Sequence, residues 1–373
     1  MKKYLWQNKN WQDFEYDKEI ISNLLSKARF VQGELLGRIS ALDIKFQTEA
    51  QSEILIEEAV KTSKIEGVEL NIESVRSSVA NRLGLNHTGA EVKFDRSTEN
   101  LIDLLTDAAN NYNAPLSLER LNGWHAALFP LGYSGFRKIV AADLRKDKVY
   151  VVSGIPGKEK IHFEGVPAKN LKSEMTKFID WFNGSLGKED GLLRAAAAAL
   201  KFVTIHPYED GNGRISRAIT DMAMAQDEKK AVRFYSLSAQ ILTERKGYYG
   251  ILEDVQNLKA DITAWYEWFI NMFINAIKNS DNIISSAFLK AAFWNKIKGI
   301  SLNDRQIKVV KKLLDIGVGN FAGGLSRKKY VSMTNVSSQT AFRELKDMLD
   351  KNIIKQYGHG RSVRYELNTD NRE

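Results

Sequence analysis

Hydrophobic positions recur at helical spacing along most of the chain. Between Tyr16 and Gln51, the positions Ile20, Ile21, Leu24, Leu25, Ala28, Val31, Leu35 and Leu36 mark one face and predict a helix. A second helix is predicted over Glu53 to Lys64, with Gly67 as its C-cap. Asn71 followed by Glu73 and Val75 reads as a new helix start. Residues 95–129 carry two more helical patterns, closed by Pro130-Leu131-Gly132-Tyr133. The period changes between Lys138 and Phe163. There the run KIVAADLRKDKVYVVSG alternates and is rich in Val, Ile and Tyr, which predicts strands, a turn at Asp147-Lys148 and a return at Ile161-His162-Phe163. Helical spacing resumes over Asn170 to Asn183, over the alanine-rich Leu192 to Thr204, from Gly213 through Ala225, and over Asp261 to Ile277.

After Lys278 the pattern loosens through NSDNIISSA, and residues 278–300 read as a linker. Beyond it the spacing predicts a helix over 304–314, a helix over 326–331, a turn at Thr334-Asn335-Val336, a helix over 337–351, and strands over 353–357 and 362–367 around Gly358-His359-Gly360. Helix, turn, helix, two-stranded wing is the winged-helix order. In the third of these helices Ser337, Ser338, Gln339, Thr340 and Arg343 would face DNA, and Arg361 and Arg364 on the wing would sit beside phosphates. Residues 301–373 carry a net charge of +6 out of +8 for the chain. Glu344 and Asp347 on the same helix work against DNA, so a protein-binding winged helix remains an equal alternative.

A length of 373 residues predicts two or three domains. Cysteine is absent, which excludes disulfides, thiolate metal sites and a cysteine nucleophile. Five histidines, at 87, 125, 162, 206 and 359, are the whole supply for imidazole chemistry, and none has carboxylate or histidine neighbours at metal-site spacing. His162 is expected in the β hairpin, His125 on a helix face and His359 at the wing tip. The basic N-terminus lacks the apolar segment and cleavage site of a signal peptide. No apolar run approaches the roughly 20 residues of a spanning helix. No membrane contact and a cytoplasmic location are therefore expected.

The candidate chemistry lies in Ile205-His206-Pro207-Tyr208-Glu209-Asp210-Gly211-Asn212-Gly213-Arg214-Ile215-Ser216-Arg217. Pro207 stops the alanine-rich helix, and Gly211 and Gly213 permit a tight turn and close backbone approach to a ligand. The following helix start supplies free N–H groups and a positive dipole end, a site for phosphate. Arg214 and Arg217, three apart, face one side and suit a polyphosphate. Asp210 is a hard oxygen donor of the kind that holds Mg²⁺ beside phosphates. His206 is the candidate general base. Asp-Gly-Asn-Gly alone would equally fit a surface turn; the joint pattern does not.

This stretch resembles the signature of Fic-domain proteins, His-Pro-Phe-x-Asp/Glu-Gly-Asn-Gly-Arg-x-x-Arg, with Tyr208 in place of Phe. Trp124-His125, Ser134-Gly135-Phe136-Arg137 and the β stretch up to Phe163 extend the resemblance, the last two as the flap hairpin. The resemblance implies a mainly α fold: an N-terminal helical domain over 1–94, an all-α Fic core with a β-hairpin flap over 95–277, the linker 278–300, and a winged helix-turn-helix domain over 301–373. It implies that His206 takes the proton of a target hydroxyl, that Asp210 holds Mg²⁺, and that Gly211, Asn212 and Gly213 cradle the α- and β-phosphates of ATP. Arg214 would stabilise departing pyrophosphate, and Arg217 would hold the γ-phosphate. Tyr248 and Tyr249 stand where similar proteins contact adenine, with core packing the equal alternative.

Thr62-Ser63-Lys64-Ile65-Glu66-Gly67 resembles the inhibitory motif Ser/Thr-x-x-x-Glu-Gly/Asn of the same family. Thr62 and Glu66, four apart, share a helix face, so the hydroxyl would orient a carboxylate that pairs bidentately with Arg217. The activity implied is AMP transfer from ATP to a Ser, Thr or Tyr hydroxyl of a protein, this chain included, restrained by Glu66. AMP removal at the same site, a DNA-binding regulator with a nucleotide-sensing core, and transfer of another nucleotide or a phosphate stay open. An interface between two Fic cores is a further expectation. The segment Tyr4-Leu5-Trp6-Gln7 to Trp11-Gln12-Asp13-Phe14 resembles a domain of unknown function that accompanies some Fic proteins, and its aromatics read as a packed cap.

Overall fold

The computed structural model describes residues 4–85, 95–154, 158–231, 233–257, 261–317 and 320–369, so His87 lies outside the described residues. Two compact units are present: residues 1–41 with 48–281, and residues 42–47 with 282–373.

The first unit contains helices α1 (Lys18–Ser40), α2 (Ile44–Ile65), α3 (Ile72–Arg82), α4 (Arg96–Asn110) and α5 (Leu118–Leu128). The strands β1 (Tyr133–Ser134), β2 (Arg137–Lys138), β3 (Tyr150–Ser153) and β4 (Lys160–Glu164) follow. Helices α6 (Leu171–Gly184), α7 (Gly191–Ile205), α8 (Asn212–Glu228), α9 (Leu237–Thr243), α10 (Arg245–Gln256) and α11 (Thr263–Asn279) complete it. The long helix expected from Tyr16 to Gln51 is broken at 41–43. Ser40 turns its hydroxyl back onto the Gly37 carbonyl, and the Asp43 carbonyl accepts from Phe46 and Gln47 to start α2.

At the centre lies α7. Asp190 caps it through the amides of Leu192 and Leu193, and every residue from Leu192 to Ile205 is buried. Its run of five alanines, 195–199, leaves no side-chain bulk between its backbone and α8, which presents Ile215, Ala218, Ile219 and Met222 at helical spacing, all fully buried. The fully buried Trp265 of α11 donates its indole N–H to the Ala196 carbonyl at 2.8 Å. The N-terminal aromatics are indeed a cap on this core: Trp6 Nε1 donates to the Glu164 carbonyl (2.8 Å), and Trp11 Nε1 to Glu174 Oε2 (2.9 Å).

The β segment forms two separate antiparallel hairpins and not one. Ser134-Gly135-Phe136-Arg137 closes its own small hairpin β1–β2, while the flap is β3–β4, with Tyr150 opposite Glu164 and Ser153 opposite Lys160. Residues 139–149 carry the alternating pattern but stand outside any strand. Flap residues 155–157 lie outside the described residues. Helices α9 and α10 have no clear hydrophobic spacing, because Gly247, Gly250 and the Tyr pair interrupt it.

The second unit contains α12 (Asp281–Lys296), α13 (Asp304–Ile316), α14 (Arg327–Thr334), α15 (Ser338–Asp350), β5 (Ile354–Tyr357) and β6 (Arg364–Leu367). Most of the stretch expected as a linker is therefore helix α12, and Phe293 and Ile297 belong to the unit's core with Val309, Leu313, Tyr330 and Leu345. The polar NSDNIISSA hides this helix because, of its buried stripe Ile284, Ala287, Ala291 and Phe293, only Ile284 falls within that segment as a large apolar residue. Hairpin β5–β6 is joined by a bridge between Leu325 and Tyr365, so the order helix, turn, helix, wing is complete. Among the described residues no helix is long and apolar enough to cross a membrane.

Ala198 has no exposed surface. Ala198→Leu should therefore lower stability by about 1–3 kcal/mol through overpacking of the α7 interface. A thermal melt checks this, and an unchanged Tm would show that α7 is not tightly packed.

Candidate functional site

His206 takes the C-cap of α7 with φ +52°, a left-handed conformation that turns the chain sharply into Pro207. Its ring Nδ1 lies 3.1 Å from the Val203 carbonyl. A carbonyl only accepts, so the proton sits on Nδ1 and Nε2 carries a bare lone pair. Burial, reinforced by the Arg145 charge, lowers the His206 pKa to about 4 against the Val203, Asp210 and Glu66 contributions, so the ring is neutral at pH 7.

Arg145 is a residue the sequence did not mark. It is buried, and it donates through Nε to the His206 carbonyl (2.8 Å), to the Asp147 carbonyl (2.6 Å) and to the Val166 carbonyl. Its own amide donates to the Pro207 carbonyl at 3.0 Å. One guanidinium thus ties the catalytic turn to the segments on both sides of the flap. Gly165 is required beside it, since a Cβ there would lie 2.8 Å from Val149, 3.0 Å from Arg145 and 3.1 Å from His206.

The loop 207–213 is closed by Asn212, whose side chain accepts from the Tyr208 amide (3.0 Å) and donates to the Tyr208 carbonyl (2.7 Å). The Asn212 side chain, expected to help cradle phosphates, instead holds the loop in shape. Gly211 has φ +80°, and a Cβ there would lie 2.8 Å from the Phe129 ring. The first intrahelical bond of α8 runs from Ile215 N to Gly211 O, so the amides of Asn212, Gly213 and Arg214 precede the ladder at the positive end of a 17-residue helix.

Asp210 Oδ1 accepts from the Gly211 amide (2.5 Å), and Oδ2 accepts from the Ser134 hydroxyl of β1. His125 lies on α5, as expected, but its part in the site was not foreseen. It accepts from the Ala142 amide at Nδ1 (3.0 Å) and donates from Nε2 to the Asp210 carbonyl (3.2 Å). Burial lowers its pKa to about 4, and its ring stacks on Tyr208 with centroids 4.2 Å apart. Tyr208 packs as Phe would, and its extra hydroxyl donates to Asn122 Oδ1 at 2.9 Å.

Both arginines face the helix start. Arg214 lies over the Phe129 ring at 5.0 Å and 3.9 Å from Asp210 Oδ1, with its Nε buried and unpartnered. Arg217 is 5% exposed; its NH2 donates to Glu66 Oε1 at 2.7 Å. Burial opposes its charge, and the Glu66 carboxylate outweighs that effect. Glu66 pairs through one oxygen, not two. Thr62 does not orient Glu66: its Oγ1 accepts from Arg217 Nε (2.7 Å), and its carbonyl accepts from Arg217 NH2 (3.1 Å). A Cβ on Gly213 would overlap Glu66 Oε1, so the carboxylate rests directly on the α8 amide end. Gly67, at φ +79°, sets that position as C′ of a Schellman turn: Val68 N donates to Ser63 O, and Gly67 N to Lys64 O.

Tyr248 is buried against Trp265 and Trp268, with centroids 6.4 and 5.4 Å away, and its hydroxyl is close enough to Arg217 to interact with it. Tyr249 is exposed beside the site, under the Arg245 guanidinium at 5.5 Å. Arg245 also donates to the Ile65 carbonyl at 2.9 Å, holding the end of α2. Of the remaining candidates, His162 bridges Ser153 (2.6 Å) and Glu253 (2.7 Å) on the flap.

A neutral imidazole, a helix start with free amides, two arginines and the Glu66 carboxylate therefore meet at one place. Residues 115–224 match the model of the Fic/DOC family, and residues 4–85 match a domain of unknown function, DUF4172. The chain carries a Fic/DOC domain. It is similar to the protein adenylyltransferase fic-1 of Caenorhabditis elegans, 28% identical over 154 residues, covering 40% of this chain and 28% of the worm protein. The Caenorhabditis briggsae fic-1 is 28% identical over 153 residues, 39% of this chain and 27% of that protein. The chain thus spans less than a third of the length of these relatives. A crystal structure of a Fic family protein from Desulfovibrio desulfuricans shares the fold, with a TM-score of 0.55 at 18% identity over 96% of this chain and 98% of that one.

His125 and His206 should both remain neutral at pH 6, where an ordinary histidine is about three-quarters protonated. Their folded pKa values lie below the unfolded value of about 6.5, so the unfolded chain binds more protons. Stability should therefore fall as pH drops from about 6.5 toward 4. Histidine NMR titration checks the pKa values, and two rings titrating near 6.5 would contradict the burial argument.

Proposed function

We propose that this chain transfers AMP from ATP to a Ser, Thr or Tyr hydroxyl of a protein, and that Glu66 restrains the reaction. The observation that carries the reading is the Glu66 carboxylate, paired with Arg217 and lying on the Gly213 backbone at the start of α8. Negative charge is stabilised there, and a triphosphate would need the same place.

His206 Nε2 takes the hydroxyl proton, and the hydroxyl oxygen bonds to the α-phosphorus as the bond to the β-phosphate bridging oxygen breaks. Pyrophosphate leaves with the pair of electrons. Its charge falls on the amides at the start of α8 and on Arg214, whose buried Nε has no other partner. Asp210 would hold Mg²⁺; a single carboxylate, fixed by the Gly211 amide and Ser134, fits an ion whose other ligands are phosphate oxygens and water. That ion would neutralise phosphate charge. Arg217 would hold the γ-phosphate once Glu66 leaves it. Tyr249 is the exposed aromatic available to adenine. The target segment docks against the flap as an added strand; Val152 and Ile161, paired in register, are both exposed there.

Glu66→Gly should raise incorporation of α-phosphate label into protein at least tenfold over the unaltered chain, and Glu66→Gly/His206→Ala should abolish it. No gain on removing Glu66 would overturn the restraint, and label arriving from the γ-phosphate would make the chemistry phosphoryl transfer. In the Glu66→Gly background the acidic limb of the rate should lie near pH 4, the value to which burial brings His206, and not near 6.5. A limb at 6.5 would remove His206 as the base.

A further inference from the structure

We infer that the second unit binds duplex DNA through the outer face of α15, a function that goes beyond the transfer reaction and stands without it. The inference rests on how α15 divides its charges. Of its two mid-helix acids Glu344 faces inward, while Asp347 is partly exposed at the edge of the face and is engaged by neighbouring side chains. Glu344 is 7% exposed and accepts from Arg305 Nε (3.0 Å), Asn303 Nδ2 (3.1 Å) and the Tyr330 hydroxyl (2.7 Å). Asp347 accepts from Gln306 Nε2 (2.8 Å) and Lys351 Nζ (2.7 Å). The outward face is left with Gln339, Phe342, Arg343 and Lys346, all exposed, and an acid only at the last position, Asp350. Arg327 and Lys328, exposed at the start of α14, extend the basic face, with the Arg327 guanidinium 5.9 Å from the Phe342 ring centroid.

Each of these groups has a role on B-DNA. A helix of 10–12 Å diameter fills a major groove about 12 Å wide. Arg343 and Gln339 offer forked donors and acceptors for base edges, and Phe342 offers an apolar contact for a thymine methyl. Arg327, Lys328 and Lys346 are placed for flanking phosphates. An A-form RNA duplex has a major groove too deep and narrow for the same helix, so the fit selects DNA. Arg364, expected on the wing beside phosphates, instead donates to the Gly323 carbonyl at 2.9 Å and braces the loop before α14. The Arg361 side chain lies outside the described residues.

The test uses the full chain and fluorescein-labelled 26-base-pair duplexes, one of random sequence and one enriched by selection from a random library. Binding is read by anisotropy from 50 to 300 mM salt. Three cations placed on phosphates predict a slope of log K against log salt of about −2.7. Arg343→Glu/Lys346→Glu should weaken binding at least 30-fold with an unchanged thermal melt, and Phe342→Ala should narrow the preference for the selected duplex. An RNA duplex of the same sequence should bind at least tenfold more weakly. Failure to bind any duplex at 50 mM salt, undiminished binding by the charge-reversed variant, or equal binding of RNA would each overturn the inference. If the double variant melts earlier, Arg343→Gln serves in its place, with a loss of at least threefold expected and no loss overturning the inference.

Discussion

The ion pair between Glu66 and Arg217 governs this molecule. It joins the C-terminal turn of one helix to the first turns of another, 151 residues away in sequence. The arginine is 5% exposed, so its charge has little water around it and an anionic partner there stabilises it strongly. The positive end of α8 adds its own field at the same point. Any anion lying there would meet both, so under the proposed function an intramolecular carboxylate and a nucleotide phosphate would compete for one position. Thr62 and the Ile65 carbonyl, gripped by Arg217 and Arg245, hold the end of α2 against the site even though Glu66 contributes only one oxygen.

The remaining scaffold fixes the geometry on which that competition acts. The alanine run of α7 lets α8 approach closely, and the two helices meet at the turn 206–211. Arg145 ties this turn to the flap, and His125 supports the Asp210 carbonyl from beneath. Burial lowers both pKa values, to about 4 for His125, which is neutral at pH 7, and to about 10 for Arg145, which keeps its charge. They act as positioning residues, setting the His206 carbonyl and the loop backbone without reaching a ligand themselves.

Much of this was legible in the residues alone. Strong 3.6-residue spacing marks α4, α6, α7 and α11, and the 206–217 pattern locates the site because its members are local in sequence. Arg145, and the part His125 plays, were hidden for the opposite reason: the two residues bond His206 and Asp210 from 61 and 85 residues away, and spacing does not report such contacts. Thr62 shows the limit of spacing arguments. Four residues apart on a helix permits contact with Glu66, but the hydroxyl found a stronger, charged donor in Arg217. Helix α12 was hidden by polar residues on its exposed side, and the break at 41–43 by hydrophobic positions that continue across it. The charges of α15 needed three dimensions, since Glu344 looks like a surface acid until Arg305 and Tyr330 are seen to enclose it, and Asp347 looks free until Gln306 is seen to bond it.

The most direct measurement compares ATP and ADP binding by calorimetry in His206→Ala, which prevents turnover, with and without Glu66→Gly. If Glu66 holds Arg217 away from the γ-phosphate, His206→Ala should bind the two nucleotides equally, and His206→Ala/Glu66→Gly should prefer ATP by about tenfold, the worth of a charge-assisted hydrogen bond pair. An ATP preference that is the same in both proteins would contradict the claim that the carboxylate and the γ-phosphate share one position.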